Sequence, residues 1–284
     1  MWEQTAVTQP PALRIPVRTV IAIILVLVFA LFVRAYIQLE LRALDLEAGY
    51  AKDLSYLAVS PIFALMLLPL IRGHKEFWRR ILDQQRLSMR LVLSAVALGV
   101  AMRIIWWSQL IARVSFGLAR NDDPTAVIGP EFSFVCPQPQ VIGLGLLVMA
   151  LLVPVVEEFL DRGVLQSAFV HTGKPTAIFI SAVIFTAFHT PSGYAFVFMM
   201  GIVLGLQFWN TQTLWASMIT HVTYNGLIQF DWRCLRGTWN PTAEQLPLLM
   251  PGLVAVGVLI AATACALWLL TRNDTGASAT PRHP

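Results

Sequence analysis

The sequence predicts an all-α fold: a polytopic membrane helix bundle of about eight transmembrane helices. Three observations carry that reading. Of 284 residues, 57% are hydrophobic and 13% charged, against about 25% charged in ordinary soluble domains. Mean hydropathy is +0.67. Several runs reach the ~20 apolar residues needed to cross ~30 Å of hydrocarbon. The formal charge of +4 and a pI near 9.2 would suggest nucleic acid in a soluble chain. Here the Lys and Arg residues sit mostly between apolar runs, where membrane orientation accounts for them. The lipid bilayer is therefore an expected partner and nucleic acid is not.

Residues 1–16 hold three prolines and little apolar pattern, and read as a mobile tail. Arg14 and Arg18 precede the first apolar run, 17–39. No small-residue cleavage site follows it, so an uncleaved first span is expected. A connection of mixed charge, 40–55, leads to a second span at 56–71. The basic segment from Arg72 to Arg90 is the densest in the chain, which places it and the N-terminus in the cytoplasm by the positive-inside rule.

The third span, 91–111, carries Arg103 beside Trp106 and Trp107, a cation expected to snorkel to an aromatic interface belt. Residues 113–140 form a long polar loop on the external side. A fourth helix begins near Val141. Pro175 suits the first turn of a fifth helix, which runs to about His189. A sixth occupies 195–209, with Gly201 and Gly205 at a spacing that allows close helix contact. The seventh, 214–230, carries His221 and Asn225. The last span is 246–270, and 272–284 reads as a disordered tail. The whole of 17–271 is expected to be one membrane-embedded domain with both termini cytoplasmic. Cys136 and Cys234 fall on the same external side and are a disulfide candidate. Cys265, inside the last span, is expected to be a small packing residue.

The chemistry concentrates where the fourth helix turns acidic, at Glu157-Glu158-Phe-Leu-Asp161-Arg162. Adjacent carboxylates at the end of an apolar run are costly in lipid unless partners are supplied. Glu158 and Arg162 stand at i, i+4 and can pair on one face, as Glu157 and Asp161 can on the next. Phe185 and His189 repeat the spacing, and so do His221 and Asn225. Glu157 lies 14 residues before His171 and His189 lies 14 after Pro175. Antiparallel helices rising ~1.5 Å per residue would bring Glu157 and His189 to one level. A carboxylate, two imidazoles and an amide can then converge on one water. Glu157 suits a general base, a nearby His a proton shuttle, and a second His with Asn225 an oxyanion site. No Ser or Cys stands in a nucleophile context, so the chemistry that fits is amide hydrolysis by activated water.

In order and separation, Glu157-Glu158-Phe-Leu-Asp-Arg162-Gly, Phe185-Thr-Ala-Phe-His189 and His221-Val-Thr-Tyr-Asn225 resemble the EExxxR, FxxxH and HxxxN motifs of the CAAX prenyl protease type II family. These proteins, also called CPBP or Abi, are glutamate-dependent intramembrane endopeptidases. The resemblance covers 141–230. It implies an eight-helix bundle with a polar cavity, water activated by Glu157 and His189, an oxyanion site at His221 and Asn225, and a positioning ion pair of Glu158 with Arg162. It also implies a membrane-anchored peptide or protein substrate, prenylated or of a maturation or sorting type, and a bacterial-type inner or cell membrane. Positive loops put Glu157 nearer the cytoplasm.

No cofactor is expected. Zinc held by Glu157, His189 and His221 with an open position for water is the runner-up mechanism, although no HExxH stands on one helix. The competing function is a non-proteolytic membrane protein: a transporter, for which no inverted repeat is found, or an inactive scaffold or immunity protein of the same fold.

Overall fold

The structure is a computed structural model and describes residues 11–115, 139–189, 191–229 and 246–277. Within them the chain is helical, in the order α1 (Val17–Ala43), α2 (Ala48–Gly73), α3 (Lys75–Ile81), α4 (Met89–Ser115), α5 (Pro139–Gln166), α6 (Lys174–Ala187), α7 (Tyr194–Thr211), α8 (Leu214–Gln229) and α9 (Leu246–Ala277). Each expected apolar segment forms a helix. Among the described residues five, α1, α2, α4, α5 and α7, are long and apolar enough to cross a membrane. Helix α6 has 14 residues and α8 has 16, or about 21 and 24 Å, short of the ~30 Å hydrocarbon layer. Both carry motif residues, and both are packed between longer neighbours.

The apolar pattern explains how the helices are turned. On α1, Val20, Ile23, Leu27 and Ala30 are buried at helical spacing, while Ile21, Leu25, Phe29 and Phe32 are exposed. An outward apolar face is what lipid favours. Helix α1 packs on α2, α6 on α7, and α4 on both α8 and α9. Helix α8 also packs against α5, so the two most polar helices of the motif region meet inside the bundle. Arg103 lies over the rings of Trp106 and Trp107, at 4.7 and 5.1 Å.

Four details differ from the sequence expectation. Helix α2 starts at Ala48, so Asp53 and Ser55, assigned to a connection, are buried helical residues. The basic segment after α2 includes the short helix α3, which buries Trp78 and Ile81. Apolar spacing within Phe77-Trp78-Arg-Arg-Ile81 makes it amphipathic, and its buried side closes the base of the core, with Trp78 stacked on Phe159 at 5.2 Å. Inside the segment read as a tail, Leu13 is 2% exposed and its N–H donates to the Ser167 carbonyl at 3.1 Å. Cys265 is exposed rather than packed, because it lies on the outer face of α9. Cys136 and Cys234, the disulfide candidates, lie outside the described residues.

Helix α5 is not a uniform α-helix. Leu146–Leu152 and Phe159–Gln166 are π-helical and flank the α-helical turn Val153–Glu158. Pro154 gives a physical reason. Its missing N–H and its ring conflict with the carbonyl four residues back, and the chain widens just before it, with the Val153 N–H bonded to the Val148 carbonyl. Such widened turns are frequent at functional sites. Here they bracket Glu157 and Glu158.

Candidate active site

Glu157 and Glu158 end the short α-helical turn of α5 and point to different surroundings. Glu158 is fully buried, and its Oε1 lies 3.2 Å from Arg162 Nη1 and 3.0 Å from His221 Nδ1. Arg162 is also fully buried and is held on three sides. Besides Glu158, its Nη2 donates to the Gly201 carbonyl at 3.1 Å, and its guanidinium lies 4.8 Å over the Phe185 ring. One turn on, Gln166 Nε2 donates to the Gly205 carbonyl at 3.0 Å. The equal spacings of Arg162 to Gln166 and Gly201 to Gly205 thus form a two-rung ladder between α5 and α7.

The glycines permit this approach. A Cβ on Gly201 would stand 3.0 Å from Ala182 on α6, and one on Gly205 would stand 3.0 Å from Ile178 and from Gln166 Oε1. With small residues at the contact, α6 and α7 close up and the α7 carbonyls come within reach of α5.

His221 on α8 is 2% exposed and sits between the two carboxylates. Its Nδ1 accompanies Glu158, and its Nε2 is 3.6 Å from Glu157 Oε2. His189, just past the end of α6, is fixed in a parallel way. Its Nδ1 is 2.8 Å from the Phe185 carbonyl. A carbonyl only accepts, so Nδ1 carries the proton and Nε2 presents a lone pair. Phe185 is the common floor, with its ring 4.6 Å from that of His189 and 5.8 Å from that of His221.

Glu157 and His189 both line one cavity together with Asp161, Phe185, Phe188 and apolar residues of α5. Glu157 and His189, expected from numbering to lie at one depth, line this one cavity, although the carboxylates' helix is π-helical on either side of them. The opposite wall is supplied by α1 and α2, through Leu27, Leu31, Tyr56, Ser60 and Phe63. Sequence reasoning found neither Tyr56 nor Ser60. Their i, i+4 spacing on α2 was the available signal, but an apolar helix offers many such pairs.

Asn225 is placed differently from its neighbours. Its Nδ2 donates to the Met149 carbonyl at 2.9 Å. Met149 lies in the first π-helical segment, where widened turns leave carbonyls in need of donors. Neither Asn225 nor His221 is among the cavity-lining side chains. Among the described residues no group of three or more His, Cys, Asp or Glu side chains is disposed to hold a metal ion. Both His221 ring nitrogens are already directed at carboxylates.

Residues 139–227 match the family model described as type II CAAX prenyl endopeptidase, Rce1-like. No curated protein and no solved structure matches the chain. The match spans α5 to α8 and contains all three motifs, so over this stretch, less than half of the chain, the protein is similar to that family.

Proposed function

We propose that this membrane protein is an intramembrane endopeptidase that hydrolyses a peptide bond of a membrane-associated peptide or protein with a water activated by Glu157 and His189. The family model matched by residues 139–227 supports a CAAX-type protease at the coarse level. The observation that supports the finer reading is the opening of Glu157 and His189 onto one cavity while Glu158, Arg162 and His221 are locked behind them.

In this mechanism the Glu157 carboxylate takes a proton from a water in the cavity, and the hydroxide adds to the scissile carbonyl. His189 Nε2, facing away from the Phe185 carbonyl, orients that water as an acceptor. The proton on Glu157 then passes to the leaving nitrogen as the C–N bond breaks. Glu158 accepts from His221 Nδ1 and fixes the ring with Nε2 3.6 Å from Glu157 Oε2, from where it attracts that carboxylate when both ring nitrogens carry a proton, the role of an orienting group behind a general base. Arg162 holds Glu158. His221 and Asn225 reach an oxyanion only if Asn225 exchanges its bond to Met149 for one to substrate, so we assign them the positioning of α8 against α5 in the resting state.

The substrate class follows the family: a peptide carried at the membrane by a lipid group or an apolar segment. The apolar wall of α1 and α2 suits such a ligand. The test is a comparison of peptides released in cells by the intact protein and by Glu157→Ala, Glu157→Gln and His189→Ala. Each variant should abolish processing without loss of protein from the membrane. Processing that persists in Glu157→Gln would overturn the assignment. Activity that survives exhaustive chelation supports the metal-independent route, and loss restored by zinc would favour the metal-bound one.

A further inference from the structure

Two arginines of the bundle face opposite situations. Arg162 has Glu158 as its counter-ion. Arg34, on α1, has none: among the described residues no carboxylate lies within ion-pairing distance of it. Its guanidinium lies 4.5 Å over the Tyr56 ring, and its Nε is buried with no hydrogen-bond partner. Asp53, the nearest carboxylate on α2 in sequence, has Lys52 at 3.7 Å.

A cation with an unused, desolvated donor inside a membrane segment is costly and marks a functional position. The location adds to this. Leu27 and Leu31 line the cavity, and Arg34 continues their stripe at i+7 from Leu27, one helical turn past Leu31. Tyr56, on which it rests, lines the same cavity, and its hydroxyl lies within electrostatic range of Arg34, Glu157 and Asp53, the last of which forms its ion pair with Lys52. Tyr56 therefore connects a free guanidinium to the carboxylate assigned to water activation. Stacking on an aromatic face holds the guanidinium plane while leaving its N–H edge available. That edge matches a carboxylate, which it can bind bidentately.

The geometry points to Arg34, seated on Tyr56, as the receptor for the C-terminal carboxylate of the substrate peptide, so that cleavage occurs at a set distance from the chain end. This rests on the endopeptidase reading, in which a peptide occupies the cavity. Arg34 is a specificity residue here and has no part in the chemical step.

Binding tests it without turnover. The full-length Glu157→Gln protein, in neutral detergent and in phosphatidylcholine vesicles, would be titrated with a fluorescent S-farnesylated peptide ending Cys-Val-Ile-Ala, as the free acid and as the C-terminal amide. The acid should bind about tenfold more tightly, the scale of a charge-assisted hydrogen bond. Adding Arg34→Gln should erase that ratio by weakening the acid alone. Arg34→Lys should restore part of it, and Tyr56→Phe, which keeps the ring, should leave it intact. An acid-to-amide ratio unchanged by Arg34→Gln overturns the proposal, as does failure of both peptides to bind. Equal weakening of acid and amide, appearing only when anionic phospholipid is added, would assign Arg34 to a lipid headgroup and also overturn it. Glu157-dependent processing in cells is read separately, so either reading can fail while the other stands.

Discussion

Glu158 Oε1 lies 3.0 Å from Nδ1 of His221, a contact closed across 63 residues of sequence and wholly inside the bundle. The same oxygen is 3.2 Å from Arg162. One buried carboxylate therefore serves two cationic or donating groups, one from its own helix and one from α8. The other carboxylate, Glu157, is left to face the cavity.

The Glu158–Arg162 pair should show the asymmetry of buried ions. Glu158→Leu leaves Arg162 charged and without its counter-ion, at a cost of about 3–5 kcal/mol. The double change Glu158→Leu with Arg162→Leu should cost less than either single change, because no orphan charge remains. Thermal unfolding in detergent, followed for the two single variants and the double variant, measures this. A double variant as unstable as the sum of the singles would contradict it.

Gly201 should tolerate no side chain. A Cβ there meets Ala182 Cα and Cβ at 3.0 Å, so Gly201→Ala must push α6 from α7 and lengthen the bond from Arg162 to the Gly201 carbonyl. Overpacking of this kind costs about 1–3 kcal/mol. Stability and activity should fall together. Gly143→Ala, where a Cβ meets nothing within 4 Å, is the control and should be close to neutral.

Asn225 distinguishes a structural amide from an oxyanion donor. Asn225→Leu removes the donor to the Met149 carbonyl and should lower stability by about 1–3 kcal/mol, the cost of a buried unsatisfied group. Residual kcat should exceed that of His189→Ala. Unchanged stability with kcat as low as in His189→Ala would return Asn225 to the oxyanion.

Trp78 should matter to the site despite lying in the basic segment. Its ring stacks on Phe159, packs 2.8 Å from where a Gly163 Cβ would stand, and its Nε1–H donates to the Leu70 carbonyl at 3.2 Å. Trp78→Ala should cost about 3–5 kcal/mol and reduce activity through the π-helical turn it supports. Trp78→Phe should recover most of the loss, and protein abundance in the membrane reads out both.

Much of the candidate site was legible in the linear chain because helical spacing is local. Glu158 with Arg162, Phe185 with His189, and His221 with Asn225 each fix a direction from four residues of backbone, and turn positions fix depth. The π-helical widening was signalled by Pro154 but not specified by it, since a proline can also simply kink a helix. The cavity wall on α1 and α2 was invisible. Tyr56 and Ser60 follow no motif, and nothing near them in sequence says which face of α2 turns toward α5.

The chain's composition determined that it is a helical membrane protein, and its three motifs determined which helices bear the candidate site residues. Both follow from short-range rules: apolar length against bilayer thickness, and periodicity of 3.6 residues. Only tertiary packing decided that Glu158 is sealed and Glu157 open, that Asn225 is bound to Met149, and that Arg34 stands over Tyr56 without a counter-ion. Those outcomes depend on which helices touch and how closely their small residues allow it, which no local pattern encodes.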